Sequence, residues 1–511
     1  MWKIWNSRIR LVCISAFLLV LNISLHKFEN NLKTSANGNR KTNINYHNDE
    51  KWFNSAVDYA LEAMLYMHNY ETGKAEIRPL IEQEKKVREY WWKCYLEMPA
   101  YFEAGDWLKN DDLFVYSSTY DRRNNSLYPN NHIVQVLAMS FRSFQSEHGI
   151  FCNLYDINRN RYTVVEGTVR EIWQRAWDPR DFFYIPNLIS CPVPEDFKHS
   201  TNLLVSLSKT PCKSQKIASY VRMPLLKQKK NAVAVCVKGL DYLEDIPERL
   251  IEWIEMQFLV GADSITLYTY YVPNKMQQVL NYYSKFGSVE VIPISLPGDS
   301  PNQVFIRSRF IWRNRQQKRR HELIAYNDCF YRYIDTHKFV LIIDIDEVVI
   351  PLKHNNWTGM LNYLTASFKK STGTIDEITS ISTRNVFKFP SNIDLSSTHI
   401  PPYLYMLRNR RRSETVSKPD EYGKAFINTD TVVTVFNHFA LHRSHGNVAM
   451  TYYADPNIVL KLHYKSMCPI ESKSDCEKLT KVTIDDTTMD RFADQLIERV
   501  TDVLSNLHII S

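Results

Sequence analysis

Three carboxylates, Asp344, Asp346 and Glu347, stand inside the apolar run HKFVLIIDIDEVVIP, which begins at His337. Val340, Leu341, Ile342 and Ile343 lead in, and Val348, Val349 and Ile350 lead out. Short β-branched runs of this kind are typical of interior parallel strands. Carboxylates there repel one another and lose hydration unless a cation, a donor network or a place at the strand mouth relieves them. Asp344 and Asp346 share one side of a strand, with backbones about 6.6 Å apart. At a strand mouth they can share a divalent cation, Mn²⁺ or Mg²⁺, which can also bridge to a diphosphate. A bare Asp-x-Asp is more often a solvated turn; the strand and the units that precede it give this one its weight.

Those units alternate. AVAVCVK reads as a strand, and DIPERLIEWIEMQFLVG as a helix with Leu250, Ile251, Ile254 and Phe258 on one face. Asp245 and Glu248 suggest a capping box, and Gly261 a stop. DSITLYTYY, NKMQQVLNYYSKFG, SVEVIPISL, RRHELIAYNDCFYRYIDT and KFVLIIDID continue as strand, helix, strand, helix, strand. Such alternation predicts an α/β domain with a mostly parallel sheet, and ligands bind at its carboxyl strand ends. Upstream, DLFVYSSTYDRR, NHIVQVLAMSF, GIFCNLYDI, RYTVVEGTV and KIASYVRM are short strand candidates of a small β-rich domain. Residues 51–95 read as helical.

LIIDIDEVV also fits the start of a haloacid-dehalogenase-type phosphatase, with Asp344 as nucleophile and Asp346 as acid/base. There the motif opens the catalytic domain, whereas here a long run of βα units precedes it. The fuller resemblance is to glycosyltransferase family 92. It is carried by VCVKGLDYLEDIPERLIEWIEMQFLVGADSITLYTY, YNDCFYRYIDTHKFVLIIDIDEVVIP, GKAFINTDTVVTVFNHF and LHYKS, in that order, over about 231–470. The segment FVYSSTYDRRNN resembles the region before that family's catalytic domain.

The resemblance implies a GT-A-like fold and inverting, metal-dependent transfer of a sugar, galactose in known members, from a UDP-sugar to a glycan acceptor. It implies Asp344, Asp346 and one or both of His438 and His463 at the metal, with His438 slightly favoured. Lys238, Asp344, Glu347 and Lys465 would contact the nucleotide sugar. Lys465 stands where the family often has Arg, and offers a point charge without the bidentate fork. Glu252 and Trp253 match the family's Glu-Trp pair. The general base is not identified; Asp394, Glu414, Asp420 and Glu421 are candidates. A catalytically silent glycan-binding or scaffold protein on the same fold is the alternative from another class.

The whole chain agrees with a luminal enzyme. Its 511 residues, 44% hydrophobic and 23% charged, suit two or three globular domains, and a net charge of +7 does not call for nucleic acid. Lys3, Arg8 and Arg10 precede the apolar run LVCISAFLLVLNISL. The reading is a cytosolic tail (1–10), a signal anchor (11–26), a stem (27–50), a helical and β-rich luminal region (51–228), the GT-A-like catalytic domain (229–475) and a C-terminal helical tail (476–511). A cleaved signal peptide is the rival for the apolar run. The expected address is the Golgi membrane, single-pass type II, acting on glycoprotein or glycolipid glycans. Beyond Cys13, eight scattered cysteines without a CxxC pair favour disulfides over zinc. Asn124 and Asn356 lie in N-glycosylation sequons. The basic runs Arg307–Arg320 and Arg408–Arg412 read as solvated faces, with contact to an anionic nucleotide or acidic glycan as the alternative.

Overall fold

The computed structural model describes residues 85–90, 94–102, 107–144, 149–225, 230–372, 377–390, 400–419, 421–446, 448–449, 451–465, 477–478 and 481–510, all within one compact unit, Asn69–Ser511. The expected tail, anchor and stem lie outside them, as do Cys468, Cys476, Asp394 and Asp420. Among the described residues no helix is long and apolar enough to cross a membrane.

Strand follows strand from residue 100 to 222, in a nine-stranded sheet. Pairing of Ile217–Arg222 with Leu113–Asp121 joins the two ends of this sheet into a ring. All five predicted strands are present. Tyr184–Pro192 and Leu203–Ser208 were not foreseen; the prolines at 186 and 192 mask the strand pattern of the first. The helix expected over 51–95 is not seen where it can be checked. Residues 85–90 run extended along the ring, with Tyr90 N–H donating to Val164 O at 2.8 Å and Glu166 N–H to Arg88 O at 3.0 Å. Two disulfides staple this domain, Cys94–Cys212 and Cys152–Cys191.

The α/β domain begins with the strand Lys230–Asp241. Its seven-stranded sheet runs Val289–Pro293, Ala262–Tyr271, Lys230–Asp241, His337–Ile342, Ala425–Asn428, Ser380–Ser382, Tyr452–Tyr453. The first four strands are mutually parallel, and the fifth is antiparallel to the fourth. Helices Pro247–Val260, Asn274–Ser284 and Arg315–Tyr333 lie between the parallel strands in the chain, as the alternation predicts. Gly261 ends the first helix in the left-handed conformation, φ 116°. The expected capping box is not formed. Asp245 instead accepts from the N–H groups of Lys275 and Met276, so it caps the following helix.

A second sheet of five strands starts at Glu347–Pro351, paired antiparallel with Val459–Tyr464. The expected C-terminal helical tail holds a helix, Ala493–Asn506, and packs into the body of the domain. Thr483–Asp485 adds an edge strand to this sheet, and Leu496, Val500 and Leu504 of the helix Ala493–Asn506 are buried in the same core as Leu250 and Ile254. The basic run divides: Arg307 is buried against Asp241, and Arg320 is buried between Trp173 and Phe183 beside Asp178. Arg309, Arg313 and Lys318 form the solvated part.

Candidate active site

The acidic cluster occupies the switch between the two sheets. The strand His337–Ile342 ends, Asp344 to Asp346 turn, and Glu347 opens the next strand. The turn is tied by Glu347 N–H to Asp344 O at 3.0 Å and by Asp344 N–H to the Glu347 carboxylate at 3.1 Å. Glu347 pairs across the ladder with His463, and Tyr464 N–H donates to Asp346 O at 2.8 Å. Trp253 fixes the turn from behind, its indole N–H donating to Glu347 O at 2.9 Å.

These carboxylates surround themselves with lysines. Lys238, at the carboxyl end of the first strand, reaches Asp344 at 3.0 Å and Glu322 at 3.3 Å. Lys424 lies 3.4 Å from Asp344 and 3.5 Å from Glu347, and Lys461 bonds Glu347 directly. Lys465 meets Asp346 at 3.0 Å. Burial opposes ionisation of Asp344, yet Lys238 and Lys424 hold its carboxyl well below the usual range. Cys236–Cys329 bonds the Lys238 strand to the covering helix two residues upstream of that lysine.

A cavity of about 280 Å³ opens at this point. Lys238, Asp344, Asp346, His463 and Lys465 all line it, together with Tyr242, Tyr270 and His321. Five of the expected site residues therefore share one cleft at the carboxyl end of the parallel strands, where an open α/β sheet takes its ligands. Two do not line it. Glu347 is only 1% exposed, because it is spent beneath the cleft on Lys461, Lys424 and the Asp344 amide. His438 has neither aspartate within ion-pair distance; its Nδ1 bonds Gly423 O at 2.6 Å, and burial with the Lys424 charge lowers its pKa to about 3.

His463 is the imidazole at Asp346, with Nε2 3.3 Å from Oδ2. Burial, with Lys461 beside it, lowers its pKa, leaving a neutral ring able to act as a ligand. Two cis ligands on a cation with bonds of about 2.1 Å stand about 3 Å apart, so this pair fits a divalent ion. The Asp346 side chain is 41% exposed, which leaves that face open to a ligand. No group of three or more His, Cys, Asp or Glu that could enclose a metal occurs among the described residues. A cation here would need oxygens from water or from a substrate, as Mg²⁺-type sites commonly do.

Lys424 and Lys461 were not foreseen. Lys461 had a signal: it precedes His463 by two in an apolar strand, so it shares that residue's face, and a buried ammonium demands an anion. Of the candidate bases, Glu414 and Glu421 do not line the cavity.

Residues 231–500 match Glycosyltransferase family 92. The Caenorhabditis elegans protein named beta-1,4-galactosyltransferase galt-1 is 22% identical over 338 residues, 63% of this chain and 68% of that one. Among solved structures, glucosyl-3-phosphoglycerate synthase from Mycobacterium tuberculosis is 13% identical over 39% of this chain and 57% of its own, TM-score 0.19. TarS from S. aureus is 10% identical over 54% of this chain and 72% of its own, TM-score 0.22. Overlaps this low fix no residue correspondence.

Proposed function

The chain belongs to glycosyltransferase family 92, and from that premise we propose that it moves a sugar, galactose by preference, from a UDP-sugar to a glycan hydroxyl with inversion, on a GT-A-like fold. The observation that carries this reading is the single cleft in which Lys238, Lys465 and the Asp346–His463 pair converge at the parallel strand ends. The nucleotide lies against the end of Lys230–Asp241. Lys238 and Lys465 supply the positive charge that meets the diphosphate as its bond to the sugar breaks. Asp346 and His463 would hold Mn²⁺ or Mg²⁺, which supplies further neutralisation of the leaving group. Glu347 and Trp253 position the acidic turn without touching substrate. The phosphatase alternative falls with the family assignment.

We also place the reaction in the Golgi lumen, behind an N-terminal anchor. Three disulfides suit an oxidising compartment, and the sequon residues Asn124 and Asn356 are both exposed. The test is UDP release from a panel of UDP-sugars with Mn²⁺, with and without chelator. Release from one donor, abolished by chelator, is expected. No release from any UDP-sugar overturns the reading and leaves a silent glycan-binding protein.

A further inference from the structure

A second cavity, of about 360 Å³, lies beside the first and has no part in the reading so far. Its walls come from the first turns of the helix Pro247–Val260 (Glu248, Arg249) and from residues 402–409 (Tyr403, Tyr405, Arg408, Asn409). Its size falls within the range of small-molecule sites. Tyr405 lines this cavity. Its ring centroid is 6.0 Å from that of Tyr464, whose N–H bonds the Asp346 carbonyl. The chain itself also links them, since Tyr242 lines the first cavity and Ile246 the second.

The walls are built rigidly. Tyr403 is pinned by a 2.7 Å hydrogen bond between its hydroxyl and Thr501. The segment 405–407 is held by Glu252, a fully buried carboxylate, which accepts from Met406 N–H at 2.9 Å and Leu407 N–H at 3.3 Å. No ammonium or guanidinium forms an ion pair with Glu252 among the described residues, so an expensive group is retained to fix this backbone. Asn409 donates to Tyr405 O at 2.8 Å and Arg408 to Ile400 O at 3.4 Å, whereas two charged side chains on the walls are unspent. Glu248 and Arg249 make no hydrogen bond or ion pair among the described residues; Arg249 only lies over the Tyr405 ring at 4.0 Å.

We propose that this cavity is the acceptor subsite, taking the sugar ring whose hydroxyl attacks the donor. The inference rests on the transferase reading above. Fixed aromatic rings offer apolar faces to sugar C–H groups. Arg249 and Arg408 donate to ring hydroxyls and Glu248 accepts from them. Glu252 is a positioning residue, acting through residues 405–407.

The test is ligand-observed saturation-transfer NMR on the whole protein with Mn²⁺, using UDP and the methyl glycosides of galactose, glucose, mannose, N-acetylglucosamine and fucose as probes. At least one glycoside should receive saturation from the wild type. Arg249→Ala, at an exposed position, and Glu248→Gln, at a half-buried one, should weaken that glycoside at least tenfold and leave the UDP signal unchanged. If no glycoside is saturated, or if its signal survives both substitutions, the subsite is refuted. Loss of UDP saturation in the wild type would instead overturn the donor reading, whatever the glycosides do.

Discussion

Glu252 gives the sharpest quantitative expectation. Burial raises its carboxyl from 4.5 to about 7, and the N–H groups of Met406, Leu407 and Tyr405 only partly offset this. The folded chain then binds this proton more tightly than the unfolded chain. The stability contribution is therefore greatest below about pH 4.5 and falls as pH rises towards 7. With those two values, ionisation of Glu252 costs about 1 kcal/mol at pH 5 and about 3 kcal/mol at pH 8. Glu252→Gln keeps the shape and removes the titration. Whatever it costs in hydrogen bonding is the same at each pH, so the stability difference between variant and wild type should shift by about 2 kcal/mol in the variant's favour from pH 5 to pH 8. Urea unfolding of both proteins at four pH values measures this. A difference flat to within about 0.5 kcal/mol would show that Glu252 is ionised normally, and that the backbone of 405–407 is not held by a strained acid.

Asp346→Asn should reduce transfer at least about 100-fold while unfolding free energy stays within about 0.5 kcal/mol, because this side chain is substantially exposed; steady-state kinetics beside urea unfolding checks both. Lys461→Met leaves Glu347 buried with a weaker partner and should cost about 3–5 kcal/mol, with Glu347→Gln added to it recovering most of the loss. Glu347 is held below its ordinary 4.5, so its contribution is present above that pH and is lost as acid is added; the Lys461→Met variant should therefore be less acid-sensitive than wild type, read as the pH dependence of the urea midpoint. Replacing Cys236 and Cys329 together by Ala opens a link spanning 93 residues and should cost about 4–5 kcal/mol in unfolding free energy by chain entropy.

The sequence carried the parallel sheet because each of its strands is an apolar run bounded by a helix of regular period. It carried the acidic turn because charge inside such a run has few explanations. What it could not carry was depth. Asp344, Asp346 and Glu347 are near neighbours in sequence, yet the switch from one sheet to the next leaves Asp346 at the cleft and Glu347 beneath it. Of the two late histidines the slightly favoured one was His438, yet it is His463 that meets Asp346, and their difference is one of register. His463 lies across a ladder from Glu347, whereas His438 follows the hairpin strand Val432–Val435 and turns to a backbone carbonyl. Asp245 shows the same limit: its spacing to Glu248 suited a box, but a neighbouring helix start offered nearer donors. The role of Glu252 was illegible for a further reason, since its partners are more than 150 positions away in the chain.

The balance of charge in the cleft ties the proposed donor to the proposed cation. Asp344, Asp346, Glu347 and Glu322 face Lys238, Lys424, Lys461 and Lys465, with His463 neutral, so the charges balance four to four. A divalent ion arriving alone would leave two uncompensated positive charges beside these lysines in a partly buried site, and the like-charge cost grows as the dielectric falls. A diphosphate arriving alone would compete with Asp344 and Asp346 for Lys238 and Lys465. Arriving together, two positive and two negative charges leave the local sum unchanged, and the lysines keep their partners. The expected outcome is strong coupling: calorimetry should show UDP binding at least tenfold tighter with Mn²⁺ present, and Mn²⁺ binding weak without UDP. Lys465→Ala removes the ammonium that meets Asp346, so Mn²⁺ alone should bind that variant more tightly than wild type. Equal Mn²⁺ affinity in the two proteins would mean that Asp346 does not meet the ion, and the pairing of Asp346 with His463 as its ligands would have to be abandoned.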